Sequence, residues 1–419
     1  MLSYASPFDT GLLREGSLSA PSLTPTSPAA MSETDRVRSV VMFSLSMLFF
    51  WASLYIYVPI LPVYASFLGA APSVVGLVVG IYGFSQLVIR IPLGLWSDQL
   101  GKRKPFVVLG MLLAAVGCFT MVLQPDPWYL VWGRAVIGLA AATWVCSTVL
   151  FSSYFPPSQA VKAMGLATFL SSAPQIVTSL LGGNLADRFG WTFPFYSGIG
   201  LGVLGLVSTL GIKETPLRRP QSVSWRRFQR ISSIPVLMVV SAIGLLNHFS
   251  LFATTYTFVP IYASNLGASK TELGAIMMVA MVANSLATLV AFRVAKGLGD
   301  GRTVAIGLAV GGITLLGTPF VGNLEILAAL QLISGLARGL VYPVLMGLCV
   351  RIVTPEDQAT SVGIFQASYA LGMFTGPFLG GVVGEHLGLP IVFAIMGLVS
   401  LLGAALGALG LRQTSHQMD

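Results

Sequence analysis

Gly94-Leu95-Trp96-Ser97-Asp98-Gln99-Leu100-Gly101-Lys102-Arg103-Lys104 is the stretch from which the rest of the chain can be read. It lies between two apolar runs, 74–95 and 106–123. A helix of either length can cross a hydrocarbon core of about 30 Å. The stretch is therefore a short charged loop between two membrane helices. Three consecutive cations in such a loop mark the cytoplasmic side. The loop also sets one carboxylate, Asp98, at the end of a membrane helix, where an unpaired charge is costly.

Composition agrees. The 419 residues are 55% hydrophobic and 9% charged, with a mean hydropathy of +0.82, whereas a soluble domain has about a quarter of its residues charged. The net charge of +8 comes from cations between apolar runs, so a cytoplasmic charge bias accounts for it and nucleic acid is not needed as a partner. Cys118, Cys146 and Cys349 lie inside apolar runs with neither pairing nor metal spacing, and read as small buried hydrophobes. There is no phosphate-binding loop, no His/Cys metal spacing and no Ser/His/Asp set. Enzymatic function, a metal and a cofactor are all unsupported, and any transport must draw on a gradient.

Residues 1–35 are rich in Ser, Pro and Thr and read as a disordered cytoplasmic tail without signal-peptide character; Met31 offers an alternative start. Apolar spans follow near 39–61, 73–95, 106–124, 129–152, 160–183 and 192–212, then near 234–260, 271–293, 303–321, 326–350, 358–381 and 390–411. The expected organisation is a six-helix bundle over 36–212, a basic cytoplasmic linker at 213–232, a second six-helix bundle over 233–412 and a cytoplasmic tail at 413–419. Alternate loops carry nearly all the loop cations, from Lys102, Arg103 and Lys104 to Arg226, Arg227, Arg230 and Arg351, against Arg188 and Lys270 on the other side. Both termini are thus expected in the cytoplasm.

The two halves repeat. At a constant offset of 198 residues, Pro62-x-Tyr64-Ala65-Ser66-x-Leu68-Gly69-Ala70 falls on Pro260-x-Tyr262-Ala263-Ser264-x-Leu266-Gly267-Ala268. The same offset pairs Gly76 with Gly274, Gly101 with Gly299, Gly165 with Gly363, Gly182-Gly183 with Gly380-Gly381, and Gly190 with Gly388. This predicts an all-α membrane protein of twelve transmembrane helices in two pseudo-symmetric bundles.

The pattern Gly94-Leu95-x-x-Asp98-x-x-Gly101-Lys102-Arg103-Lys104 resembles the loop 2–3 signature of the major facilitator superfamily of secondary transporters, with Gln99 in place of the usual Arg. The resemblance covers about 36–412. It implies a multi-pass, monomeric carrier in a bacterial-type cell membrane that moves a small molecule by alternating access. It also implies that Asp98 meets the start of helix eleven, after Thr354-Pro355-Glu356-Asp357, when the cytoplasmic side is closed; otherwise Asp98 is a solvated loop residue. Arg134, in Arg134-x-x-x-Gly138-x-x-Ala141, resembles the helix-four motif of drug:proton antiporter-1 permeases, though an Arg capping backbone carbonyls fits as well. Gly372-x-x-x-Gly376-Pro377-x-x-Gly380-Gly381 resembles an antiporter helix-bending motif, here in helix eleven instead of helix five; plain packing is its alternative.

Other candidates follow from intramembrane polarity. Arg338 sits in mid-helix ten and His248 in helix seven, and Gln86 and Asn284 are repeat mates in helices two and eight. Every Asp and Glu lies in a tail, a loop or a helix end. The expected function is proton-coupled efflux of small amphipathic molecules. The alternatives are a carrier of small organic anions that uses the embedded arginines, and a sensor or scramblase-like derivative that accumulates nothing.

Overall fold

The computed structural model describes residues 31–214, 225–354 and 356–411, with Asp98, Pro157, Ala160, Val161 and Trp225 described in their backbone alone. The tail 1–30, linker residues 215–224, Pro355 and the tail 412–419 lie outside the described residues. The spans are α1 (Glu33–Tyr55, continued by Leu61–Phe67), α2 (Pro72–Leu100), α3 (Lys104–Thr120), α4 (Pro127–Ala142 and Trp144–Ser152), α5 (Ala160–Phe189) and α6 (Phe193–Thr209). They continue with α7 (Pro235–Ala253, a π-turn at Thr254–Phe258, then Val259–Asn265), α8 (Lys270–Leu298), α9 (Asp300–Gly317), α10 (Leu324–Gly339 and Val341–Arg351), α11 (Gln358–Leu387) and α12 (Leu389–Gly410). Among the described residues, nine of these are long and apolar enough to cross a membrane. Two shorter apolar helices, α3 and α6, and the long but more polar α11 complete the expected twelve.

Helix ends follow local chemistry. Ser32, Asp126 and Asn323 cap α1, α4 and α10 through their side chains, and Ser269 with Glu272 forms a capping box on α8. The positive-φ glycines are Gly69, Gly101, Gly190, Gly267, Gly299 and Gly388, three pairs at the repeat offset. Turns that demand a left-handed residue thus keep the repeat where side chains have drifted.

Several helix ends depart from the apolar runs. Helix α1 begins at Glu33, just inside the segment read as tail. Helix α2 runs on to Leu100, so the expected loop 94–104 is helical through Asp98 and turns only at Gly101–Arg103. Helix α11 starts at Gln358, with no side-chain cap from Asp357. The four helices that exceed their runs most, α2, α5, α8 and α11, have 29, 30, 29 and 30 residues. At 1.5 Å per residue each is about 45 Å long, enough to cover the headgroup layers as well as the core. The linker contains a short helix, Trp225–Ser232.

Within the first bundle α1 packs on α5 and α6, α2 on α4, and α3 on α4 and α6; within the second α7 packs on α11 and α12, α8 on α10, and α9 on α12. Phe43, Met47, Phe151 and Phe195 fill the first core, and Leu237, Leu345 and Phe365 the second. The bundles meet through α2 against α11 and α5 against α8. These contacts obey the repeat. A Cβ on Gly76 would overlap the Pro377 carbonyl, and one on its mate Gly274 the Ser179 carbonyl. A Cβ on Gly183 would overlap the Lys270 carbonyl, and one on Gly381 that of Pro72. Small residues let backbones touch where lipid gives helices no hydrophobic reason to associate.

One end of the seam carries a carboxylate clamp. At the same end as these glycines, Asp187 of α5 accepts from the Lys270 N–H at 3.2 Å and the Thr271 N–H at 2.7 Å, at the start of α8. Its mate Glu385 of α11 accepts from the Ser73 N–H at 3.3 Å, at the start of α2. Each carboxylate meets the positive end of a helix dipole in the other bundle. Toward the basic end Gly94, Gly165, Gly297 and Gly363 face open space. The bundles are clamped together at the Asp187 and Glu385 end, and Arg90 ties α2 to α11 farther along the seam.

Candidate functional site

A cavity of about 120 Å³ lies between the bundles. Ser172, Gln175 and Ile176 of α5 form one wall, and Leu251, Thr255, Tyr256, Met281, Asn284, Ser334 and Arg338 of the second bundle form the other. The π-turn at Thr254–Phe258 puts Thr255 and Tyr256 on this wall; extra-residue turns of this kind break helical register and are frequent at functional sites. The repeat places the non-helical interruption of α1, residues 56–60, at the same register in the first bundle. Tyr55 and Tyr256 meet edge-on across the bundles at 6.5 Å.

The sequence-selected polar residues take different positions. Arg338 and Asn284 line the cavity. Arg134, 4% exposed, does not. Its guanidinium donates to the Tyr57 hydroxyl at 3.3 Å and lies 4.4 Å from the Tyr82 ring centre, an aromatic cradle that offsets part of the charge. Gln86, the mate of Asn284, accepts from Arg90 at 2.6 Å. His248 bonds the Gly244 carbonyl at 2.9 Å through Nδ1 and stacks on Tyr369 at 4.4 Å. Gly372 and Gly376 press against the backbone of α7 at Leu245 and Phe249, and Gly380 against the Phe258 ring. The α11 motif is closely packed here, inside a helix continuous through Pro377.

Arg90 escaped the sequence reading. It donates to Gln366 at 3.2 Å and to the Tyr369 hydroxyl at 3.1 Å, tying α2 to α11. Its signal was a lone cation in Val88-Ile89-Arg90-Ile91, the same signal that singled out Arg134. The clamp pair Asp187 and Glu385 was also missed, although the two are exact repeat mates.

At the basic end the loop residues are anchored within their own bundle. Glu214 accepts from the Lys104 N–H at 3.1 Å and Lys104 Nζ reaches the Ile212 carbonyl at 2.7 Å. Arg103 bonds Ser97 and, through its N–H, Glu214. Gly101 supplies the turn at φ 63°; Gly94 faces open space, Lys102 is exposed, and the Asp98 side chain lies outside the described residues. Asp357, at the start of α11, is held by Arg227 and, at 2.8 Å, by Arg230 of the linker helix. These guanidiniums, Arg227 foremost, keep its carboxyl below the usual carboxylate range. The clasp is present at neutral pH and is lost only as pH falls through that lowered value.

Among the described residues no group of three His, Cys, Asp or Glu is placed to hold a metal. Polar wall groups and aromatic faces suit reversible binding of a small molecule.

The comparisons with known proteins agree. The chain is 26% identical over 334 residues to the uncharacterized MFS-type transporter YceJ of Bacillus subtilis, covering 77% of this chain and 83% of that one. It is 24% identical over 349 residues to the inner membrane transport protein YajR of Escherichia coli, covering 81% and 75%. It is also 24% identical over 382 residues to the quinolone resistance protein NorA of Staphylococcus aureus, covering 88% and 94%. A bacterial homolog of the human lysosomal transporter Spinster, solved in an inward-facing and unoccupied conformation, has the same fold, with a TM-score of 0.78 at 13% identity over 92% of this chain and 99% of that one. The family model described as Major Facilitator Superfamily matches residues 43–265 and 240–419. The chain is a multi-pass membrane protein of the Major Facilitator Superfamily.

Proposed function

We propose that this secondary transporter exports small amphipathic molecules in exchange for protons, with its basic loops and both termini in the cytoplasm of a bacterial-type cell. The carrying observation is the cavity at the bundle junction, whose walls mix Tyr256, Met281 and Leu251 with amides and hydroxyls. A relative named for quinolone resistance supports export. No carboxylate lines the cavity; the proton site put to the test is His248, which lies off the cavity wall with its ring against Tyr342 and Tyr369. A state closed at the basic end brings Asp98 to the start of α11, where the linker arginines hold Asp357 and remove the repulsion between two carboxylates.

Proteoliposomes containing the full chain and a panel of fluorescent amphipathic dyes test the reading. An imposed pH gradient should drive dye flux, a protonophore should collapse it, and His248→Ala should abolish the response to the gradient. Dye flux indifferent to gradient and protonophore would remove proton exchange. No protein-dependent flux of any dye would remove export of this class.

A further inference from the structure

We infer that the cavity holds an anionic group, a carboxylate or sulfonate borne by an otherwise apolar solute, with Arg338 as its counter-charge. The inference rests on the transport reading and narrows its substrate class. Three arginines lie at membrane depth near the bundle junction, none paired with a carboxylate among the described residues; Arg90 and Arg134 each leave one buried nitrogen, Nε, without a partner, and Arg338 leaves two. Arg134 has the Tyr57 hydroxyl and the Tyr82 face. Arg90 has Gln86, Gln366 and Tyr369. Arg338, 3% exposed, has a single hydrogen bond from Nη2 to the Ser250 hydroxyl, at 3.2 Å. Its Nε and Nη1 have no partner among the described residues. It is also the arginine on the cavity wall.

A buried guanidinium without an anion is among the costlier features a membrane protein can carry. All described ion pairs lie near helix ends or in the linker, from Lys213–Asp35 to Arg351–Asp300, so no protein carboxylate is placed to answer it. A second group points the same way. Ser334, one turn before Arg338 on α10, also lines the cavity and its hydroxyl has no partner. Arg338 and Ser334 stand at i and i+4 on one helical face, a cation and a hydroxyl donor side by side. Asn284 and Gln175 add amide groups from α8 and from the opposite bundle. Gln175 already spends its Nε2 on the Ser171 carbonyl, at 2.8 Å. The ligand supplies the missing half of the pair. Its apolar part lies against Leu251, Ile176, Tyr256 and Met281. About 120 Å³ suits an acid group with a short apolar stem. A lipophilic cation is repelled at the same place.

The test uses one ring system in three charge states: 2-naphthoate, 2-naphthamide and 2-naphthylmethylammonium. Each is titrated into the purified full chain at fixed ionic strength, with ligand-induced thermal stabilisation as the readout. The acid should bind saturably and at least about tenfold tighter than the amide, the lower bound for a hydrogen bond to a charged group; the ammonium should not bind saturably. Arg338→Gln should weaken the acid by at least about tenfold and leave the amide within about twofold. Arg338→Lys should keep part of the acid preference, and Ser334→Ala should weaken the acid alone. Where Arg338→Gln does not fold, the charge series on the unmodified chain and Ser334→Ala decide. Amide or ammonium binding as tight as the acid, no saturable acid binding, or acid affinity unchanged in Arg338→Gln would overturn the site. The binding assay needs no gradient, so preferred acid binding without dye export defeats the export reading and leaves the anion site standing.

Discussion

Gly183→Ala combined with Gly381→Ala should abolish transport and drive the molecule out of the conformation described here. These glycines are repeat mates. In each, an added Cβ would overlap a backbone carbonyl of the other bundle, that of Lys270 or Pro72. A carbonyl at a helix start cannot move aside as a flexible side chain can, so the bundles must separate at that end. Overpacking costs about 1–3 kcal/mol per site, and every 1.4 kcal/mol is roughly a tenfold change in an equilibrium. Two sites acting on one closure should therefore shift it by about thirtyfold or more. The control lies on the same two helices: Gly165→Ala with Gly363→Ala, another repeat pair with open space around each residue, should transport normally. Alkylation of a cysteine at the clamped end should rise in the first double variant and not in the second. Equal behaviour of the two variants would show that closure does not depend on these contacts.

Arg134→Met should abolish gradient-driven accumulation while leaving the fold and downhill solute exchange in place. The guanidinium is buried against Tyr57 and Tyr82 without a carboxylate. Replacing a buried charge by an apolar side chain of similar volume is often neutral or stabilising, so the melting temperature should hold or rise. A residue retained at that cost has a use beyond packing. Accumulation against a gradient, measured beside solute counterflow in the same vesicles, separates the two. A fall of at least about tenfold in accumulation with counterflow kept assigns Arg134 to coupling. Full accumulation in Arg134→Met would make it a packing residue, as would loss of both activities together with a lowered melting temperature.

The repeat was legible in the sequence because its surviving marks are dictated by the backbone. Gly69/Gly267, Gly101/Gly299 and Gly190/Gly388 are kept by left-handed turns, and Gly76/Gly274 and Gly183/Gly381 by helix contact. The offset alone does not say which helices touch. Asp187 and Glu385 therefore looked like solvated carboxylates at helix ends, and only the meeting of α5 with α8 and of α2 with α11 turns them into clamps. Nor does shared register mean shared role. Gln86 and Asn284 diverge because Arg90 claims Gln86, whereas the residue at Arg90's place in the second half is Thr288, which bonds the Gly339 carbonyl at 3.1 Å. The reach of α2 to Leu100 was hidden because Ser97, Asp98 and Gln99 end the apolar run without breaking the helix.

Two bundles rocking about a central cavity must open one end as they close the other. Spin labels on exposed residues report both ends at once. Ser66 and Asn265 span the bundles at the clamped end, and Gln99 and Ala359 span them at the basic end. Each pair is placed in a background with Cys118, Cys146 and Cys349 replaced by alanine, and distances are measured by pulsed electron paramagnetic resonance. The perturbation is Asp187→Asn with Glu385→Gln, which removes two carboxylate–helix contacts worth about 0.3–2 kcal/mol each. The Ser66–Asn265 distribution should shift to longer distance while the Gln99–Ala359 distribution shifts to shorter distance, in matching proportions. Distributions that stay fixed, or that lengthen together at both ends, would contradict alternating access in this chain.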